Sequence, residues 1–340
     1  MNRRVGPFCL AGLVLFSLTG CVSGMLSRRV VEAPNKSYLP SMVRDEKKRA
    51  KYDATWSQVW LQPVGPPAAE LAVAVVEPRN YGMVHKIDLR TRKDGKKYLA
   101  MDLQWEVPSA GAPLAEPKGT ILILHGYRDS KECMMHWALC LAEQGYRCVL
   151  VDLRGHGRST GEWIGFGAFE TSDLQRVLDG LEQRKLLAGR LGVLGLSYGG
   201  SVGLRLTAQD SRVATVVALE PFSDPRKAVE EFSRVFAGKY VKNWTADDYG
   251  RVLGKSAKKA GFDWADADVL GAMDRLKVPS FIVHGEKDTW ISPEHSRALV
   301  ARAKVPCRLK MMPNDDHYVL SIRLSDLAPD VINWFGEHLK

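Results

Sequence analysis

Short apolar runs alternate with helical stretches from about residue 118 onward, and this alternation constrains the fold more than any other feature of the chain. Runs of this kind are typical of strands buried on both faces of a sheet. Strands that alternate with helices specify a mostly parallel sheet with helices on both faces. The predicted strands span Thr120–Leu124, Arg147–Val151, Leu191–Leu196, Val213–Leu219, Ser280–Val283 and Arg308–Met312.

The stretches between these strands have the period of amphipathic helices. Two further runs, Val84–Leu89 and Tyr98–Val107, alternate with a period of two around an Asp94-Gly95 turn, which predicts a hairpin. With it we expect an eight-stranded sheet. The predicted helices span Lys131–Gln144, Phe169–Leu187, Gly200–Ala208, Pro293–Ala303 and Leu324–Leu339.

The connection between Leu219 and Ser280 is too long for an ordinary loop. It is rich in aromatic residues, and we interpret 222–278 as a small helical cap over the strand ends. Most of these aromatic side chains are expected to pack the cap against the body, and the others to line an apolar substrate pocket. Active sites of such sheets form at the carboxyl ends of the strands, beneath this cap.

Ser197 is the predicted nucleophile. The motif G-x-S-x-G occurs twice, around Ser159 and around Ser197. Only Ser197 follows a buried strand and precedes a helix, the turn that exposes a serine hydroxyl at a helix N-terminus. The Ser159 copy lies in a glycine-rich loop without those neighbours.

A serine needs a base to remove its proton, and His317 directly follows the last strand. Asp288 follows the preceding strand and is predicted to orient the imidazole, with Glu286 as a weaker alternative. The order Ser197, Asp288, His317 is the order of an α/β-hydrolase triad. The backbone amides of Tyr127 and Tyr198 are predicted to form the oxyanion hole.

These motifs resemble the serine esterase, monoacylglycerol-lipase and serine aminopeptidase group of α/β-hydrolases, over residues 118–340. The resemblance implies an α/β-hydrolase fold, a cap at the position of the insert and a structural role for His156. The matching motifs are His125-Gly126-Tyr127, Asp152-Leu153-Arg154-Gly155-His156-Gly157-Arg158-Ser159, Gly195–Gly200, His284-Gly285-Glu286-Lys287-Asp288 and His317.

The N-terminus reads as a targeting segment. Basic residues precede an apolar run, Val5–Leu18, that is too short to span a bilayer. Leu18-Thr19-Gly20-Cys21 resembles a bacterial lipobox, which implies removal of 1–20 and lipidation of Cys21. A plain signal peptide with a chance cysteine is the alternative. Residues 21–82 are predicted to be a tether and lead-in, in which 45–60 forms one helix, and 83–340 the hydrolase domain.

Composition adds little about partners. Lys and Arg total 48 against 39 Asp and Glu, which gives a net charge of +9, but the basic residues are scattered. Neither zinc-finger spacing nor an aromatic–basic RNA motif accompanies them, so no nucleic-acid partner is predicted. The cysteines lack metal-ligand spacing, and the chemistry requires neither a metal nor an organic cofactor.

The sequence therefore predicts a lipid-anchored serine hydrolase of a bacterial cell envelope, on the outer membrane if the cell has one. Its substrate is expected to be a small or lipid-like carboxylic ester, cleaved through an acyl-enzyme. A peptidase, amidase or acyltransferase would use the same machinery. A non-catalytic envelope lipoprotein is the alternative from another class.

Overall fold

Eight strands form one central sheet, in the order β1-β2-β6-β5-β7-β8-β9-β10, in a computed structural model that describes residues 24–91, 95, 97–107, 109 and 116–340. The neighbours from β6 to β10 pair in parallel, whereas β1 and β2 join one edge in antiparallel pairs. The strands are β1 Gln58–Val64, β2 Ala69–Val76, β3 Val84–Thr91, β4 Lys97–Gln104, β5 Thr120–Leu124, β6 Arg147–Val151, β7 Leu191–Leu196, β8 Val213–Leu219, β9 Ser280–Gly285 and β10 Cys307–Met312.

Helices cover both faces of the sheet. Successive side chains of a strand point to opposite faces, so Leu122 and Leu124 pack into one apolar cluster and Ile121 and Ile123 into the other. Besides a helical stretch at 24–31, the helices of the described residues are α1 Ser41–Arg44, α2 Glu46–Asp53, α3 Met135–Glu143, α4 Glu170–Gln183, α5 Tyr198–Gln209, α6 Pro225–Phe236, α7 Gly238–Val241, α8 Ala246–Ala260, α9 Leu270–Arg275, α10 Glu294–Arg302, α11 His317–Ile322 and α12 Leu324–His338.

This arrangement is the α/β-hydrolase fold, and the fold prediction is confirmed. The segment between β8 and β9 is helical, as expected of a cap, and contains α6 to α9. The six predicted parallel strands are all present, within two residues of their predicted ends.

The predicted boundary at residue 83 and the predicted helix over 45–60 are wrong. Helix α2 ends at Asp53, and β1 and β2 then supply the antiparallel edge of the sheet. Strand β1 exposes alternate side chains and contains Pro63. An edge strand tolerates proline because the N–H group that proline lacks would face solvent there. The predicted hairpin forms as β3 and β4, but as a separate two-stranded sheet.

The predicted leader 1–20 and Cys21 lie outside the described residues. Within the described ranges, the helices are too short or too polar for any of them to cross a bilayer.

Candidate active site

Ser197 lies at a sharp turn between β7 and α5. Its φ of 51° is in the left-handed region, which a residue with a side chain adopts only when its surroundings hold it there. The two motif glycines make the turn possible, because a Cβ on Gly195 would lie 2.3 Å from the Gly199 carbonyl oxygen, and one on Gly199 would lie 2.6 Å from that of His125. The two glycines therefore allow the strand, the turn and the helix to approach one another until their backbones are in contact.

The three predicted side chains meet above the strand ends. His317 Nε2 lies 3.0 Å from Ser197 Oγ, and His317 Nδ1 lies 2.6 Å from Asp288 Oδ2. His317 is the first residue of α11, and the Asp316 side chain caps that helix by accepting from the Val319 amide at 2.8 Å. The structure thus brings Ser197, His317 and Asp288 into one hydrogen-bonded chain.

Asp288 is held from several sides. Its Oδ1 accepts from the amides of Trp290 and Ile291, at 2.8 and 2.9 Å, and its Oδ2 lies 3.2 Å from His284 Nε2. Burial would raise the pKa of Asp288, but the bonds from His284, His317 and Ile291 outweigh burial and hold that pKa below its usual range. Asp288 is therefore ionised at neutral pH. The alternative acid, Glu286, is exposed to solvent.

The two amides predicted to form an oxyanion hole lie on adjacent elements. Tyr198 is the first residue of α5, and amides of a first helical turn have no acceptor within their helix. Tyr127 lies in the loop after β5, the strand that pairs with β7, and its ring lies 6.5 Å from the Tyr198 ring. Both amides are thus supplied by segments next to Ser197.

A buried carboxylate that the sequence analysis missed fixes the Tyr198 side chain. Tyr198 Oη donates to Glu170 Oε1 at 2.7 Å and accepts from the Phe166 amide at 2.9 Å. Glu170 also accepts from the amides of Gly165 and Gly167, both at 2.8 Å. These bonds tie α5 to the segment that leads into α4.

The glycine-rich loop after β6 braces the site. His125 Nε2 accepts from the Leu153 amide at 3.0 Å, which links this loop to the loop of Tyr127. Asp152 accepts from the amide and the ammonium of Lys131, both at 2.7 Å. His156 Nδ1 lies 2.8 Å from the Arg154 carbonyl oxygen. These contacts join two loops to each other.

Aromatic side chains from the cap reach the site. The Trp290 and His317 rings lie 5.1 Å apart, and Phe236 of α6 packs on Trp290 at 4.9 Å. Phe232, one turn earlier, packs edge-on against Tyr127 at 5.6 Å. The ring of Phe236 is about half exposed. An apolar wall therefore runs from the surface to the imidazole.

A second carboxyl group near His317 was also missed. Glu220 directly follows β8, is fully buried, and its Oε2 lies 3.6 Å from His317 Nδ1. Together with Asp288 and His317 it could supply three ligand atoms to a metal ion. Such an ion would have to break the 2.6 Å bond between His317 and Asp288, so this donor set suits a proton relay better. An acidic residue directly after a buried strand was the available sequence signal.

Comparisons with known proteins agree with this fold. Residues 119–252 match the family described as alpha/beta hydrolase fold. A monoacylglycerol lipase of Mycolicibacterium smegmatis is 27% identical over 67% of this chain and 91% of its own length. The uncharacterized protein YfhR of Escherichia coli O157:H7 is 25% identical over 67% of this chain and 71% of its own.

A solved structure of the Pyrococcus furiosus esterase Pf2001 covers 85% of this chain and 93% of that chain, with a TM-score of 0.57 and 19% identity. At this identity the likeness shows the fold. Taken together, the sheet order, the strand–turn–helix at Ser197 and the matched segment give this chain the α/β-hydrolase fold.

Proposed function

We propose that this protein is a serine hydrolase that cleaves carboxylic esters through an acyl-enzyme. The observation that carries the proposal is the continuous hydrogen-bonded chain from Ser197 Oγ through the His317 ring to Asp288. A serine hydroxyl next to an imidazole whose other ring nitrogen contacts an ionised carboxylate is an activated nucleophile.

In the proposed mechanism, Ser197 Oγ attacks the acyl carbonyl carbon while His317 Nε2 takes the hydroxyl proton. The oxyanion accepts hydrogen bonds from the Tyr127 and Tyr198 amides, and Asp288 stabilises the imidazolium. His317 then donates its proton to the leaving alcohol. Water attacks the acyl-enzyme by the same sequence, and Ser197 is regenerated.

Two observations favour an ester with an apolar part. The wall of Phe232, Phe236, Trp290 and Tyr127 offers apolar contact beside His317. A monoacylglycerol lipase and an esterase are among the similar proteins. Amide hydrolysis and acyl transfer to an alcohol are the alternatives on the same residues.

The decisive assay compares wild type and Ser197→Ala on p-nitrophenyl esters of increasing acyl length and on aminoacyl p-nitroanilides. We expect the esters to be preferred, and Ser197→Ala to lose about 10⁴- to 10⁶-fold in kcat. Preference for the anilides would replace the esterase with a peptidase. Equal ester hydrolysis by both proteins would refute Ser197 as nucleophile.

We propose further that the protein is tethered to a membrane of the bacterial envelope through lipid on Cys21, after removal of 1–20. Each buried methylene of an acyl chain contributes about 0.8 kcal/mol to membrane binding, so several chains give firm attachment. Cys21→Ser is expected to move the protein from the membrane to the soluble fraction. Unchanged partitioning would refute the anchor.

A further inference from the structure

Glu220 has an unusual backbone conformation at the carboxyl end of the sheet, where the candidate active site lies. It directly follows β8, the neighbour of β7, and its φ of 52° is in the left-handed region. Its amide donates to the Val283 carbonyl oxygen at 2.7 Å, which fixes this strained backbone beside β9. A strained residue with a side chain persists only where the surrounding structure holds it, and such residues concentrate at functional sites.

The carboxyl group of Glu220 is buried and poorly paired. Neither oxygen has a partner of ordinary hydrogen-bond geometry in the described chain, although the Gly285 amide is close enough to lower the pKa of the carboxyl, and no surface of the residue is exposed. Buried polar groups are normally paired, since leaving one unpaired costs about 1–3 kcal/mol. Its Oε2 lies 3.6 Å from His317 Nδ1, the atom that bonds to Asp288.

The charges around Glu220 favour its protonated form. Burial raises the pKa of Glu220 well above its usual range, and repulsion from Asp288, Asp316 and Asp315 adds to this, against a smaller opposite effect of the Gly285 amide. Asp288 keeps its charge because three donors surround it. The two carboxyl groups beside one imidazole are thus driven into different protonation states.

We propose that Glu220 is a second acid of His317, a positioning residue that takes over the Nδ1 hydrogen bond when Asp288 cannot make it. The proposal rests on the serine-hydrolase function and names one more residue of that same site. In the resting protein burial and the neighbouring carboxylates favour the protonated form of Glu220, and Asp288 carries the charge that faces the imidazole. Without Asp288 its repulsion is lost, so Glu220 ionises at a lower pH than in wild type, and its carboxylate accepts a hydrogen bond from His317 Nδ1–H.

A double-mutant cycle tests this role. Asp288→Ala removes the first acid and leaves space for Glu220 to close the 3.6 Å separation. We expect kcat/KM for a p-nitrophenyl ester to fall about 10²-fold in Asp288→Ala and about 10⁴-fold in Asp288→Ala with Glu220→Gln, the loss expected when no acid orients the histidine. Glu220→Gln alone resembles the neutral glutamate and should lose less than about tenfold.

The pH profile separates positioning from packing. In Asp288→Ala the pH profile should contain a step for the ionisation of Glu220 in addition to the step for the general base, and this added step should be absent once Glu220 is glutamine. A glutamate that only fills space would give the same profile in both proteins. Asp326→Asn is the control, because it removes a carboxylate of α12 that pairs with Arg323 at 2.8 Å and is about half exposed. It should stay within about threefold of wild type.

Failure of the second-acid role and failure of the serine-hydrolase function would give different results. A double variant as active as Asp288→Ala alone would overturn the second-acid role. Folding is checked by thermal melts, and if Asp288→Ala does not fold, Asp288→Asn replaces it, since its oxygen can still accept from the Trp290 and Ile291 amides. Wild-type protein that neither hydrolyses esters nor reacts with a fluorophosphonate would refute the serine hydrolase, whatever Glu220 does.

Discussion

The two G-x-S-x-G segments of this chain have the same sequence pattern, but their serine hydroxyls make different contacts. At Ser197 the backbone turns from strand to helix with a positive φ, and the hydroxyl contacts an imidazole at 3.0 Å. At Ser159 the hydroxyl is buried, donates to the Asp152 carbonyl oxygen at 2.5 Å and accepts from the Ala72 amide at 2.8 Å. One serine is available for chemistry, and the other joins a loop to a strand.

The comparison shows that local backbone geometry distinguishes the proposed nucleophile from a serine whose hydroxyl bonds only to backbone groups. Glycines are required in both segments, since a Cβ on Gly157 would lie 2.3 Å from Asp152 Cγ and one on Gly195 would lie 2.3 Å from the Gly199 carbonyl oxygen. In the Ser159 loop the glycine admits a buried carboxylate, and in the Ser197 turn it lets a strand and a helix touch. The same sequence motif thus allows two different kinds of close packing.

The largest expected effect is that one serine variant loses activity and the other loses stability. Ser197→Ala should abolish ester hydrolysis, by about 10⁴-fold or more, with little change in unfolding free energy. Ser159→Ala should keep kcat within about tenfold but lose about 1–3 kcal/mol of stability, because the Ala72 amide loses its acceptor in a buried site. Ester kinetics and urea denaturation of both variants measure the pair.

The opposite pattern would break the comparison. If Ser159→Ala were inactive yet as stable as wild type, the loop serine would belong to the chemistry. Ser201→Ala is a useful reference for stability, because Ser201 also carries a buried hydroxyl bonded to backbone, at the Phe222 amide and carbonyl oxygen.

Acid should destabilise the loop that contains Ser159 and the neighbouring loop that contains His125. Burial lowers the pKa of His125 to about 4, and burial together with the neighbouring His125 lowers the pKa of His156 to about 3, from an ordinary value of 6.5. Both histidines are neutral when folded, so the unfolded chain binds more protons below about pH 6.5. The stability that these two histidines contribute is therefore full above that pH and falls as pH drops, by about 1.4 kcal/mol per pH unit for each histidine.

Urea denaturation at a series of pH values from 7 to 4 checks this slope. His156→Gln lacks one of these neutral rings, so between pH 6.5 and 4.5 its stability should fall less steeply than that of wild type, by about 1.4 kcal/mol per pH unit. A difference in unfolding free energy between the two proteins that stays constant over this range would contradict neutral burial of His156.

The smallest expected effect concerns the side chain of Tyr198, whose amide is proposed to bind the oxyanion. Tyr198→Phe removes the hydroxyl that bridges Glu170 and the Phe166 amide, which should cost about 1–3 kcal/mol of stability. The amide remains, so kcat should stay within about tenfold of wild type. A loss of activity as large as that of Ser197→Ala would assign the hydroxyl itself to the reaction.

Much of the fold and the contacts among Ser197, Asp288 and His317 could be predicted from the sequence. Buried parallel strands are continuous apolar runs, and residues that directly follow them must meet at one edge of the sheet. That rule led to Ser197, Asp288 and His317, which are in contact in the structure. Their chemical roles, like the lipidation of Cys21, stay predictions.

The rest depends on contacts that a linear pattern does not contain. Strand β1 exposes every second side chain and includes Pro63, so its sequence resembles a polar lead-in until its pairing with β2 is known. Glu170 and Glu220 are glutamates that would be solvent-exposed in most chains. Only the folded chain shows that one bonds to Tyr198 and that the other approaches His317.

The central claim is that Ser197, and not Ser159, is the nucleophile. Mass spectrometry of a tryptic digest after fluorophosphonate treatment tests it directly, because cleavage after Arg190 and Arg205 isolates residues 191–205, and cleavage after Arg158 and Arg176 isolates 159–176. We predict a single adduct on Ser197 within 191–205, lost in Ser197→Ala. An adduct on Ser159, or labelling that persists in Ser197→Ala, would contradict the claim.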